Sequence, residues 1–345
     1  IRVCFAWLCS FDFEENDSMD KIDFVVTWVD GSDPIWQEVK NQYSAEGADT
    51  RVTRYRDWDQ LKYWFRAVEK YAPWVNKVHF VTFGHLPQWL NTDNPKLNIV
   101  RHEDFIPKEF LPVFNSCAIE VNLHRIPELN ENFVYFCDDN YLMQSCKPTD
   151  FFKNGKPVDM ATLSPIPRNF GGEFYFYHLY NNYSIYNNYF SKRVLLKKWS
   201  KFVNIKYGRI AITNLLNIAC KNFFFQQRHL PMALQKSTFE ILWNDYADVL
   251  TETAQARFRT YSNINLDLLR GYQLITGDFY PKKIKGIVVD TRKVDVVKET
   301  IESGKYCFLC LSDNTSENTF EIDKQRINAS FDRVFPERSS FELAE

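Results

Sequence analysis

The sequence predicts an α/β fold: a largely parallel sheet interrupted by a mainly helical insertion. Three observations carry that expectation. Short β-branched and aromatic runs alternate with 3.6-period apolar patterns over residues 22–150. The same alternation returns after residue 281, and between the two stretches helical patterns dominate. Strands that alternate with helices are joined by crossovers lying on the sheet faces, which makes neighbouring strands parallel.

The elements follow in order. Residues 22–29, Ile-Asp-Phe-Val-Val-Thr-Trp-Val, are β-branched and aromatic and read as a strand. Residues 57–72 place Leu61, Trp64, Phe65, Val68 and Ala72 on one helical stripe, with Asp57 as its N-cap. Residues 77–83 and 97–100 are further strands. Residues 115–126 read as a helix with Ile119, Leu123 and Ile126 on one face, stopped by Pro127. Residues 133–137 form the next strand. Beyond a Tyr/Phe-rich stretch at 174–190, Ser237-Thr238-Phe239-Glu240 reads as a capping box opening a helix with Phe239, Leu242, Tyr246 and Leu250. Strand 286–289, helix 292–303, strand 307–311 and helix 319–335 complete the pattern. The expected organisation is an N-terminal tail at 1–21, an α/β core at 22–150, a helical insertion at 151–280, a return to the core at 281–338 and a tail at 339–345.

Composition narrows the function classes. At roughly 150 residues per domain, 345 residues allow about two domains. Apolar residues at 45% and charged residues at 25% exclude wholesale disorder. A net charge of −2, from 42 basic and 44 acidic residues, argues against a nucleic-acid partner. No run of 18 apolar residues offers a membrane-spanning helix. Aromatics are abundant, with 30 Phe, 18 Tyr and 9 Trp; most belong in a core, and a minority suit sugar-binding platforms. Met19 precedes the first regular pattern and reads as a natural start, which leaves 1–18 as a dispensable upstream segment. Cys307 and Cys310 lie three apart on a strand and therefore point to opposite faces, so a shared metal is not expected. Reduced thiols in a cytosol account better for the eight cysteines.

Four strands end in acid-bearing loops: Asp30-Gly31-Ser32-Asp33, His102-Glu103-Asp104, Asp138-Asp139-Asn140 and Asp313-Asn314. In open α/β sheets, ligands bind beyond the carboxyl ends of the strands. Singly, such residues are ordinary turn and cap formers. Together on one edge they point to a hard cation, Mg²⁺ or Mn²⁺, bridging a diphosphate.

These residues also carry a resemblance. The run from Ile22 through Trp28-Val29-Asp30-Gly31-Ser32-Asp33 is similar to the first signature block of the Stealth family. A longer second block resembles Arg56-Asp57, Leu61-Lys62-Tyr63, Ala72-Pro73-Trp74-Val75, Val81-Thr82-Phe83-Gly84, Pro87-Gln88-Trp89-Leu90-Asn91 and Val100-Arg101-His102-Glu103-Asp104. It continues through Phe114-Asn115-Ser116, Ala118-Ile119-Glu120, His124-Arg125-Ile126 and on to Asn140. The third block rests on His229-Leu230-Pro231, Lys236 and Arg259, and the fourth on Leu311-Ser312-Asp313-Asn314. Stealth proteins are sugar-1-phosphate transferases, among them bacterial capsule phosphotransferases and the animal N-acetylglucosamine-1-phosphotransferase catalytic subunits. Without that enzyme's large insertions and membrane anchors, this chain resembles a compact bacterial member.

The resemblance implies a Rossmann-like, nucleotide-diphosphosugar-transferase (GT-A-like) core. It implies transfer of a hexose-1-phosphate from a nucleotide sugar, commonly a UDP-sugar, to a hydroxyl of an oligosaccharide or lipid-linked glycan, with UMP leaving. By the same resemblance Asp138 and Asp139, with Asp313 and Asn314, hold the metal. Trp28, Asp30, Gly31, Asp33, Asn115 and Ser116 receive the nucleotide. Arg125 and Arg259 fork onto phosphate oxygens. His229 is the base for the acceptor hydroxyl, with Asp30 and Glu120 as the next candidates. His124 stands four residues after Glu120, so a helix puts the two on one face. The rival readings are an ordinary metal-dependent glycosyltransferase releasing UDP and a non-catalytic carbohydrate-binding protein. A cytoplasmic enzyme, peripheral at the inner membrane face where lipid-linked acceptors are built, is the expected setting.

Overall fold

The computed structural model describes residues 21–44, 48–165, 174–189, 192–218 and 223–344. Four parallel strands build the core: β1 (Ile22–Thr27), β2 (Val78–Thr82), β3 (Leu97–Arg101) and β4 (Asn132–Phe136), in the order β3-β2-β1-β4. β1 is buried on both faces, which is why its sequence is nearly continuously apolar rather than alternating. Phe24 and Val26 face one apolar cluster and Val25 the other, so the sheet is a layer between two cores. Asp23, fully buried in the same strand, is satisfied by Asn76, Asn130 and His79. This is the Rossmann-like core the sequence predicts.

Two departures have local causes. Met232–Gln235, inside the expected insertion, pairs antiparallel with β4 and closes that edge of the core sheet. Conversely, residues after 281 do not extend the core sheet. Gly286–Asp290 and Phe308–Ser312 pair in parallel, and β5 (Asn140–Leu142) joins them antiparallel as a separate three-stranded sheet. Because β5 follows β4 after a three-residue turn, this second sheet is tied to the carboxyl end of the first.

The helices differ in their ends. α1 (Pro34–Tyr43) is capped by Asp33, whose carboxylate accepts from the Trp36 N–H at 2.6 Å. α2 (Leu61–Tyr71) starts four residues later than expected, after Gln60, which frees Asp57 from any capping role. The expected helix over 115–126 breaks after Glu120: Asn122 turns its amide onto the Ala118 carbonyl at 2.8 Å, and a 3-10 turn at Leu123–Arg125 follows. Ser237 does not close a capping box; its hydroxyl and N–H engage Glu131 at the foot of β4. The helix it was expected to open divides at Tyr246 into Lys236–Asp245 and Ala247–Ala254.

Gly31 is a site of close backbone approach. A Cβ there would lie 2.0 Å from the Tyr55 carbonyl oxygen. Gly31→Ala should therefore cost about 1–3 kcal/mol through overpacking. For a chain of this size that lowers Tm by about 2–5 °C in a thermal melt. An unchanged melt would mean that the 48–55 segment yields freely to the added methyl.

Candidate active site

Asp138 and Asp139 stand at the carboxyl end of β4, where the chain turns into β5 (Asn140 N–H to the Cys137 carbonyl, 3.1 Å). The Tyr141 hydroxyl donates to the Asp138 carbonyl at 3.0 Å, and the Leu311 N–H donates to the Asp139 carbonyl at 3.0 Å. Two strands of the second sheet thus hold the acidic turn by its backbone, leaving its carboxylates to face other groups. Asp57 joins it, accepting the Trp28 indole N–H at 3.3 Å. Burial, then the charges of Asp139 and Asp57, push the Asp138 carboxyl up to about 7. Burial likewise pushes Asp57 up to about 6. Crowded, desolvated carboxylates resist ionising together.

His229 faces this cluster. Its backbone adopts a left-handed φ of +47°, and Nε2 lies 3.2 Å from Asp139 Oδ2. Asp139 is the main reason the imidazole titrates at about 9, against the opposing effect of desolvation. The ring is 59% exposed, so a substrate can reach it. The Cys310 thiol donates to the same Asp139 oxygen at 3.5 Å.

A basic group lies near Glu120. Glu120, buried, accepts from the Tyr135 hydroxyl and from the Leu266 N–H, each at 3.2 Å, and burial raises its pKa. The nearby Arg259 charge works against that rise. Arg259 donates to the Ser116 hydroxyl at 2.8 Å and makes no ion pair among the described residues. Arg54 pairs with Asp49 at 3.2 Å, and Arg51 forks onto the same carboxylate at 2.7 and 2.9 Å. Burial, then Arg259, lowers the Arg54 pKa. Two guanidinium groups therefore share one buried carboxylate with the Arg259 charge close by, an arrangement suited to an incoming polyanion.

Other expected site residues are occupied elsewhere. Asp30 closes on the Ser32 N–H and hydroxyl at 2.8 and 2.6 Å. Asp33 is the α1 cap, and Gly31 is backed by Tyr55 rather than open to a ligand. Asn115 ties its amide to the Ala256 carbonyl and Asn263 side chain at 3.0 and 2.9 Å. Arg125 lies over the Trp243 ring, 4.7 Å from its centroid, and does not join Arg259. His124 stacks on Phe239, so the helix break separates it from Glu120. Asp313 receives a bidentate fork from the buried Arg56 at 2.6 and 2.5 Å, and Asn314 donates to Asp290 at 3.3 Å. The first ties the second sheet to the segment before α2, and the second joins two loops of that sheet. Asp104 caps its own turn through the Arg101 N–H. Sequence reasoning missed Asp57 and Arg54 as site residues. The only available signal was their place in the Arg54-Tyr55-Arg56-Asp57 run, which reads equally well as a helix start.

The donor set suits a hard cation. Asp138 and Asp139, with Asp57 beside them, provide carboxylate oxygens whose mutual repulsion a divalent ion relieves. Cys137, Asp139 and His229 also bring ligand atoms within 4.8 Å of one another. Burial raises the Cys137 thiol well above its ordinary range, which disfavours the free thiolate.

Conserved region 2 of Stealth proteins matches residues 54–159, and conserved region 1 matches residues 20–48. The capsular polysaccharide phosphotransferase WcwK of Streptococcus pneumoniae is 40% identical over 335 residues, covering 94% of this chain and 99% of that protein. The chain belongs to the Stealth family. The receptor polysaccharide phosphotransferase WefC of Streptococcus oralis is 40% identical over 94% of this Stealth chain and 100% of its own. The exopolysaccharide phosphotransferase cps2G of Lactiplantibacillus plantarum is 36% identical over 93% and 96%. A solved galactosyltransferase, LgtC, in complex with donor and acceptor sugar analogues, overlays with a TM-score of 0.36 at 10% identity over 89% of this chain and 95% of that one. Within this Stealth chain, Arg54, Asp57, Glu120, Asp138 and Asp139 fall inside conserved region 2, whereas His229 and Arg259 are brought to it by the fold.

Proposed function

We propose that the protein transfers a hexose-1-phosphate or N-acetylhexosamine-1-phosphate from a UDP-sugar to a sugar hydroxyl in capsular or exopolysaccharide synthesis. The acceptor oxygen bonds to the phosphorus next to the donor sugar, and the bond from that phosphorus to the UMP oxygen breaks. UMP leaves, a phosphodiester joins the sugars, and the C1–O bond is kept. The observation that carries this reading is a carboxylate–histidine cluster at the carboxyl end of the core sheet and an arginine cluster, both within electrostatic reach of Glu120.

Asp138 and Asp139, with Asp57, are the residues that would hold Mg²⁺ or Mn²⁺. A divalent cation there supplies charge neutralisation for the diphosphate and offsets the Asp139 charge that keeps His229 protonated. His229 accepts the proton of the attacking hydroxyl. Arg259, fixed by Ser116, faces the transferred phosphate, and Arg54 takes the place that the resemblance implied for Arg125. No helix among the described residues is long and apolar enough to cross a membrane, and the reading places the enzyme at the inner membrane face beside lipid-linked acceptors.

The deciding experiment incubates the protein with nucleotide sugars and a capsule-type acceptor and follows the products by ³¹P NMR. A new phosphodiester signal with UMP supports the reading; UDP with no phosphodiester makes the protein an ordinary glycosyltransferase. Arg54 has its own check. Arg54→Gln should weaken UDP binding about tenfold in calorimetry, the worth of one charge-assisted contact, while Arg51→Gln on the same Asp49 leaves it nearly unchanged. Equal losses in both variants would assign Arg54 to holding Asp49 in place.

A further inference from the structure

A pocket opens beside His229, walled by Arg228, His229, Met232, Asp267, Arg270 and Ile284. The edge strand Met232–Gln235 and the first turn of helix Asp267–Thr276 contribute to its walls. The polar groups are not equally used. Arg270 is saturated: it forks onto Asp159 at 2.7 and 3.0 Å and donates to the Gln226 carbonyl at 3.1 Å. Arg228 is not. One of its terminal nitrogens donates to the Thr162 hydroxyl, but its buried Nε has no acceptor, and among the described residues no carboxylate pairs with it. A buried N–H left without a partner is costly, so an acceptor oxygen brought to it is favoured. Asp267 is under-used in the opposite sense, because its carboxylate has one long contact from the Asn265 amide at 3.5 Å. It interacts electrostatically with both His229 and Arg270.

One unfilled donor, one under-used acceptor and an apolar wall from Met232 and Ile284 thus border the imidazole proposed as base. A second phosphate does not suit this place, since Asp267 would repel it. A neutral hexose does: its hydroxyls both donate and accept, and its C–H face packs on apolar side chains. We infer that this pocket is the acceptor-sugar subsite, which sets the attacking hydroxyl against His229 and pairs neighbouring hydroxyls with Asp267 and Arg228. The inference rests on the transfer reaction proposed above.

Three methyl glycosides serve as probes: methyl β-D-galactopyranoside, methyl β-D-glucopyranoside and methyl N-acetyl-β-D-glucosaminide. Saturation-transfer NMR on the whole chain, with UDP present, should detect binding of at least one. Asp267→Asn and Arg228→Gln should each weaken that binding about tenfold, the worth of a hydrogen bond to a charged group, and leave the UDP affinity within twofold. Thermal melts confirm that each variant is folded, and two variants on different elements guard against one failing to fold. No glycoside binding by the wild type, unchanged binding in both variants, or an equal loss of UDP affinity overturns the assignment. The nucleotide product is read separately. UDP in place of UMP would overturn the proposed chemistry while glycoside binding still reports on the pocket.

Discussion

Asp139→Asn should lower turnover by about 10³–10⁴-fold while the chain still folds. The size follows from two losses at one atom pair: a carboxylate suited to a divalent cation, and the group that orients and charges His229 from 3.2 Å. The fold should survive because the backbone anchor from Leu311 is independent of the side chain, and asparagine keeps the shape. Two further readouts make the cause visible. With its main charge partner gone, His229 should titrate below about 9, closer to the ordinary histidine value, in an NMR titration of the metal-free protein. Mg²⁺ should raise the Tm of the wild type and not that of the variant. The pH dependence has a definite sign. Asp57 and Asp138 have folded pKa values raised from 3.8 to about 6 and about 7. Their contribution to stability is therefore present below pH 3.8 and is lost as pH rises through 6 to 7. A cation that favours the ionised forms should accordingly stabilise more at pH 8 than at pH 5. Near-normal turnover of Asp139→Asn at saturating Mg²⁺ would remove both roles from this carboxylate.

His229→Ala and Arg259→Ala should separate two functions that a single activity assay blurs. A positioned base is worth about 10²–10⁴-fold and acts only when the acceptor hydroxyl attacks. His229→Ala should thus depress turnover by that amount and leave the UDP affinity nearly unchanged. In the proposed reaction Arg259 would face the phosphate in the ground state as well as in the transition state. Arg259→Ala should lower both UDP affinity and turnover, the latter by about 10²–10³-fold. Calorimetry gives the affinity and nucleotide release gives the rate. If His229→Ala loses UDP binding as badly as Arg259→Ala, the histidine is a phosphate ligand or a structural residue. Glu120 would then be the next candidate base, because Asp30 is already closed on Ser32.

The sequence by itself determined the α/β core and the strand ends that matter. A continuous apolar run such as β1 can only be satisfied by burial on both faces, and acids placed directly after such a run must emerge at the sheet edge. Asp138 and Asp139 were legible for that reason, and His229 and Arg259 through the family resemblance. What the sequence did not determine is which acids and arginines at that edge stay available. Asp313 and Asn314 have the same strand-end signature as Asp139, yet a buried Arg56 from 257 positions earlier takes the first and Asp290 the second. Arg125 and Arg54 each end a short 3-10 turn, but the Asn122 turn directs one onto Trp243, while packing against Asp49 keeps the other beside Arg259. Asp57 reads as a helix cap until α2 starts late and the Trp28 indole draws the carboxylate inward. Local pattern encodes which side chains reach an edge, because it depends on periodicity and burial of contiguous residues. Which of them remain unpaired there depends on partners supplied by distant segments, and only the tertiary structure decides that.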